Sequence, residues 1–244
     1  MAEDPATRTR LAWLDRGTEV FNTALADLSD HDLDGPSLLP NWSRRHVVAH
    51  VGYNARALDR LVHWARTGVE TPMYPDAETR SAEIEQGAAL PAEELRALAV
   101  ESAEQLRADL ASLPDDRWQS RVVTAQGRTV PATEIPWMRC REVWIHTVDL
   151  GGAGFADLPA DLLDAIAYDV LDLWERRSHG AGIALDALDR SPGWPGRDAP
   201  GAGRHPVTCH GTAAALTAWL TGRAPPPAGV DPGDAVPPDL PNWL

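Results

Sequence analysis

The sequence contains no lysine: all 22 of its basic residues are arginine, against 36 acidic ones, for a formal net charge of −14. A surface of that sign repels phosphate backbones and anionic headgroups, so a nucleic-acid or membrane-surface binder is not expected. Cysteine is scarce, with Cys140 and Cys209 alone. Two thiols make neither a disulfide framework nor a four-thiolate zinc site, so any metal must be held mostly by histidine and carboxylate. No apolar run approaches the ~20 residues of a membrane span, and the amino-terminal MAEDPATRTR lacks a signal peptide's apolar stretch. These features predict a soluble, cytoplasmic protein. Repeats and low-complexity tracts are also missing, apart from a Pro-rich finish from Pro225 to Leu244. What remains is an ordinary globular balance. The 244 residues are 43% apolar and 24% charged, enough for a real core in one large domain or two modest ones.

Helical periodicity dominates the first part of the chain. Leu11, Leu14, Val20, Phe21, Leu25 and Leu28 form a stripe between Thr7 and Leu28, and Ser29 to Asp32 ends it, leaving His31 in a loop. Ser43 is a good N-cap for a helix reaching about Arg66, stopped at Thr67-Gly68, with Val47, Val51, Asn54, Leu58, Leu61 and Ala65 on its inner face. A third helix is predicted from about Pro91 to Leu113, and a fourth from Pro136 to Leu150, broken at Gly151. Between them Trp118 to Val130 reads as extended, with Gly127 as a turn. Four helices with longish connections predict a four-helix bundle over residues 1–152, where sites are built from inward-facing side chains. Beyond it the texture changes. Leu158 to Arg177 is amphipathic, Ile183 to Asp189 and Val207 to His210 alternate like strands, and Gly211 to Thr221 is a short Ala-rich helix. The overall class is α+β: the bundle, then a smaller α/β domain over 153–244 with an extended tail.

Two helices carry the residues suited to chemistry. The second opens Arg44-Arg45-His46-Val47-Val48-Ala49-His50, with histidines at i, i+4. The fourth contains Arg141-Glu142-Val143-Trp144-Ile145-His146-Thr147-Val148-Asp149, which puts Glu142, His146 and Asp149 on one face. Facing each other, these helices can aim a His, a Glu and a His at one point, the ligand set of a metal site with an open position. The spacing does not choose among zinc, iron, nickel and manganese. It also leaves open that these are ordinary hydrogen-bonded histidines. His63, His179, His205 and His210 have no such partners in the pattern and are read as non-ligands.

Four stretches decide more than the spacing does. They are LPNWSRRHVVAHVGYN from Leu39, HWARTGVETPMY from His63, TAQGRTVP from Thr124 and WMRCREVWIHTVDLG from Trp137. Together they resemble the family of mycothiol-dependent maleylpyruvate isomerases, in loops as well as helices. The ligand triplet alone points only to the wider superfamily of thiol-dependent metalloenzymes with a DinB-like bundle. The carboxyl-terminal part resembles the family more loosely, through Thr221-Gly222-Arg223 and the final Trp243-Leu244.

The resemblance implies a DinB-like four-helix bundle in which His50, Glu142 and His146 bind zinc. His46 matches the family too, but it is read as supporting or structural, because His50 lies closer to the Val47–Val51–Asn54 inner face. The resemblance further implies that Arg223 is catalytic and reaches the site from the small domain. The cofactors it implies are zinc and mycothiol, and the substrate is the dicarboxylate maleylpyruvate, isomerised to fumarylpyruvate in gentisate breakdown. In that chemistry a thiolate adds to the conjugated cis double bond, the resulting single bond rotates, and elimination gives the trans product. Zinc then either generates the thiolate or polarises the ketone. Because the family brings its thiol as a cofactor, Cys140 is read as a packed residue, although Arg139 and Arg141 would depress its pKa if they were near it. The rival on the same bundle is a mycothiol S-transferase, which would release a conjugate. A non-catalytic zinc-bound regulator is disfavoured by the lack of any C-x-x-C.

Overall fold

Asp4 accepts the N–H groups of Ala6 and Thr7, Pro5 takes the first helical position where no N–H is needed, and α1 runs Pro5–Asp27. The computed structural model describes residues 4–177, 183–191, 194, 207–227, 229–230, 240 and 243. The chain divides into two units, Met1–Gly152 and Ala153–Leu244.

In the first unit, Ser29 and Asp32 form a reciprocal capping box, so the segment that ends α1 also starts a single-turn helix, α2 (Asp30–Leu33). His31 therefore lies in α2, not in a loop as expected. Then follow α3 (Arg44–Thr67), α4 (Ala77–Ala88) and α5 (Ala92–Ala111). A hairpin of β1 (Arg121–Val123) and β2 (Thr129–Pro131) pairs Val122 with Val130, and α6 (Ile135–Leu150) closes the unit. α4 occupies a stretch expected to be plain connection. Its apolar signal is thin, with only Ile84, Gly87 and Ala88 buried, and its start is set by Asp76 accepting the Thr79 N–H.

α3 is the central helix, packed against α4, α5 and α6, while α1 lies along α6. The expected inner face of α3 is buried from Val47 to Ala65, as are Leu11, Leu14, Phe21 and Leu25 of α1. Each buried Val, Leu or Phe among them contributes about 1.5–3 kcal/mol of transfer free energy. The four long helices α1, α3, α5 and α6 make the predicted bundle. Gly68 and Gly151 end α3 and α6 at φ of 77° and 81°, left-handed conformations that cost glycine little.

One carboxyl pair in this bundle titrates abnormally. Half-buried Asp59 of α3 hydrogen-bonds Asp109 of α5, which Arg66 pairs at 2.8 Å. Burial, and then the Asp109 charge, pushes Asp59 up from 3.8 to about 6. The folded state thus holds this proton more tightly than the unfolded chain. The stability it contributes is complete below the unfolded value and is lost as pH rises through about 6. Asp59→Asn mimics the protonated form. At pH 7.5 it is expected to stabilise the protein by about 1 kcal/mol after allowance for solvent screening, with little effect at pH 4.5. Urea midpoints at the two pH values read this directly, and equal destabilisation at both would contradict it.

The second unit opens with α7 (Ala160–Arg176), which buries Leu162, Ile166, Val170 and Trp174. β3 (Ile183–Ala187) pairs in parallel with β4 (Val207–Gly211), placing Leu185 beside Cys209. Thr212 caps α8 (Ala213–Leu220), which packs on α7. A short β5 (Gly229–Val230), not foreseen in the sequence, adds antiparallel to β4. The unit is α/β and the class α+β, as predicted. The expected extended tail lies mostly outside the described residues. Among the described residues no helix is long and apolar enough to cross a membrane.

Candidate metal centre

The packing of α3 against α6 brings three predicted ligands together. His50 Nε2 lies 2.8 Å from Glu142 Oε2, and His146 Nε2 lies 3.2 Å from the same oxygen. One ligand atom from each residue falls within 4.8 Å of the others, and the two imidazoles meet edge to face at 4.8 Å. His50 and His146 are buried and Glu142 nearly so. Two imidazole nitrogens and one carboxylate oxygen are a borderline donor set that suits a divalent ion such as zinc with coordination positions left over.

A second carboxylate completes the arrangement. Asp149, one turn beyond His146 and 0% exposed, has its Oδ2 2.8 Å from His146 Nδ1. Such a bond places the imidazole proton on Nδ1 and leaves Nε2 to face His50 and Glu142. The Asp149 carbonyl also accepts the Leu38 N–H at 3.0 Å, which ties down the loop before α3. From that loop Trp42 sets its ring 5.5 Å from that of His50.

The electrostatics follow from burial and contact. Burial drives the His50 pKa down, so its imidazole is neutral and has a lone pair to give. For Glu142, burial alone would favour the neutral acid. The hydrogen bonds of His50 and His146, and the charge these rings carry when protonated, overcome it and hold the carboxyl well below its usual range. His146 feels the same burial, but its hydrogen bonds to Asp149 and Glu142 raise its pKa. One turn before the triad's glutamate, Arg139 is fully buried. It donates to Val51 O at 2.7 Å and Asn54 Oδ1 at 3.0 Å, joining α6 to α3, and burial brings its pKa down to about 10.

The other singled-out residues are placed less suggestively. His46 Nδ1 accepts the Ser43 N–H at 3.2 Å, so this histidine caps α3 and is no part of the triad. Cys140 is buried and its thiol is pushed up strongly by burial, so the flanking arginines do not make it a thiolate. His210 pairs with Asp186 across β3 and β4 at 2.9 Å, and His63 is exposed on α3. His179 and His205 lie outside the described residues. Arg223, just past α8 in the second unit, is half-buried and donates from Nη1 to Thr221 O at 2.6 Å.

Asp149 was legible as a face-mate of His146 but was assigned no role in the sequence. The E-x-x-x-H-x-x-D spacing could have supplied one, since a histidine ligand needs an acceptor for its other nitrogen. Arg80, whose Nη2 lies 3.4 Å from His50 Nδ1, was not legible at all, because α4 carries it there.

Comparison with known proteins is consistent with this geometry. The family model described as the mycothiol maleylpyruvate isomerase N-terminal domain matches residues 14–151, more than half of the chain. A crystal structure named as the mycothiol-dependent maleylpyruvate isomerase is 39% identical, with 97% of each chain covered and a TM-score of 0.87. A histidine-to-alanine mutant under the same name is 38% identical with the same coverage and TM-score. Among curated protein sequences none matches significantly.

Proposed function

The chain belongs to the mycothiol-dependent maleylpyruvate isomerase family, and from that premise we propose that it isomerises maleylpyruvate to fumarylpyruvate with mycothiol as cofactor. The convergence of His50, Glu142 and His146 carries this reading. In it these three side chains would hold zinc. When bound, zinc and mycothiol would together supply a thiolate nucleophile at neutral pH. The chain's own residues do the rest. Asp149 fixes the ring of His146, and Cys140, kept as a buried thiol, offers no competing nucleophile. We assign the reaction to the cytoplasm, where a small thiol stays reduced, and to gentisate breakdown on the family resemblance.

The decisive experiment supplies maleylpyruvate with and without mycothiol. Fumarylpyruvate should appear only with the thiol, and the thiol should be recovered. Stoichiometric consumption of thiol into a conjugate would instead identify an S-transferase, and no reaction at all would overturn the reading. Arg223 is proposed to bind a substrate carboxylate, on the Thr221-Gly222-Arg223 resemblance. Arg223→Ala is expected to lower kcat/KM by about tenfold or more with zinc content unchanged, through the loss of charged hydrogen bonds. Unchanged kcat/KM would remove Arg223 from the site.

A further inference from the structure

Arg80 is an arginine without an acidic partner in a chain rich in acid. Several half-buried arginines in its unit pair with carboxylates, Arg45 with Asp34, Arg60 with Glu83, Arg66 with Asp109 and Arg96 with Asp30, while half-buried Arg44 spends its donors on the carbonyls of Asp32 and Leu150. Arg80 projects from the first turns of α4 toward the triad, and among the described residues no carboxylate pairs with it. Its guanidinium carbon lies 6.0 Å from the centroid of the Tyr74 ring, which restrains the plane of the fork without neutralising it. Its only hydrogen-bond-range contact to the triad, 3.4 Å to His50 Nδ1, is longer than an ordinary N–H···N bond. Tyr74 also hydrogen-bonds the guanidinium, and the remaining donors meet no protein carboxylate, in a half-buried position beside the triad.

A cation held there costs desolvation energy, and no anion at ion-pair distance offsets it. An anionic ligand arriving at the triad would supply that anion. The planar fork suits a carboxylate, which it can grip with two parallel hydrogen bonds. We propose that Arg80 binds a carboxylate of the substrate beside the His50–Glu142–His146 triad, forming an anion subsite contained wholly in the first unit. The proposal rests on the isomerase reading for the identity of the substrate, which is a dicarboxylate. It gives the protein a specific cation for one of the two charges, against a global field of the wrong sign.

Maleate, a small cis dicarboxylate, is the probe. Its binding to the zinc-loaded protein by titration calorimetry should weaken about tenfold in Arg80→Gln, and Arg80→Lys should fall between the two, keeping charge but losing the fork. Zinc content should be unchanged in both, and in turnover KM for maleylpyruvate should rise more than kcat falls. Wild-type maleate affinity in Arg80→Gln, or no maleate binding by the wild type, overturns the subsite. Loss of zinc from both variants also overturns it, since Arg80 would then act through His50. Arg80→Lys preserves the stem and charge, so it keeps the test available should the glutamine variant fold poorly. If maleate binding depends on Arg80 but maleylpyruvate is not turned over, the isomerase reading falls and the subsite stands. If maleylpyruvate is turned over with maleate affinity and KM indifferent to Arg80, the reverse holds.

Discussion

Alanine at His50, Glu142 or His146 is expected to strip the protein of its metal and its isomerase activity while leaving the bundle folded. Structural zinc sites bind with roughly 10–16 kcal/mol shared over their ligands, so removing one of three protein ligands should cost about 3 kcal/mol or more, a hundredfold or greater in metal Kd. The fold should survive because the helices are held by apolar contacts such as Val47, Val51, Leu58 and Leu61 that the triad does not share. Glu142→Gln separates charge from shape. It keeps the side chain's volume, removes the anion that both imidazoles face, and should lose metal nearly as completely as Glu142→Ala. Acidification should act in the same direction, since protons compete with metal for the imidazoles. His146 takes up its proton most readily, because its hydrogen bonds to Asp149 and Glu142 more than offset burial. Metal analysis beside circular dichroism reads the result. Full zinc occupancy in any one folded variant would remove that residue from the ligand set.

Asp149→Ala should weaken zinc by up to about a hundredfold although Asp149 touches no metal in this arrangement. Carboxylates behind a histidine ligand set its tautomer and ring orientation, and their loss typically costs about 10–100-fold in affinity. The effect should fall near the upper end here, since Asp149 is wholly inaccessible and water cannot readily replace it at His146 Nδ1. Asp149→Asn should recover part of the loss, because an amide oxygen still accepts the Nδ1 proton but carries no charge. The signature is a raised zinc Kd with kcat largely restored at saturating zinc. A variant with normal zinc affinity and lowered kcat would show instead that Asp149 acts on the reaction and not on the ligand.

The long helices and the triad were legible because both depend on a local period. Apolar residues at 3.6-residue spacing mark α1, α3, α5 and α6, and i, i+4 spacing sets Glu142 and His146 on one face whatever lies opposite. The choice of His50 over His46 was legible for the same reason, since His50 lies nearer the Val47–Val51–Asn54 face. α4 was not, because a helix that buries only Ile84, Gly87 and Ala88 barely modulates the pattern. The single turn of α2 was hidden because Ser29 and Asp32 read equally well as the end of α1. With α4 went Arg80, thirty residues from the histidine it approaches.

By itself, then, the amino-acid order determined the helices, their buried faces, the candidate triad of His50, Glu142 and His146 and, through loops as well as helices, the family. Each is a property of short stretches, where backbone geometry dictates which side chains share a face. Tertiary structure alone decided how charge behaves on those faces. Arg139 and Arg141 flank Cys140 in sequence and promise a reactive thiol, yet neighbours on a helix point apart and burial determines the sign of the shift. Arg80 became a neighbour of His50 only once α3 and α4 were packed. A periodic sequence specifies that a face is buried, whereas the partner across it depends on contacts between distant residues that no local pattern encodes.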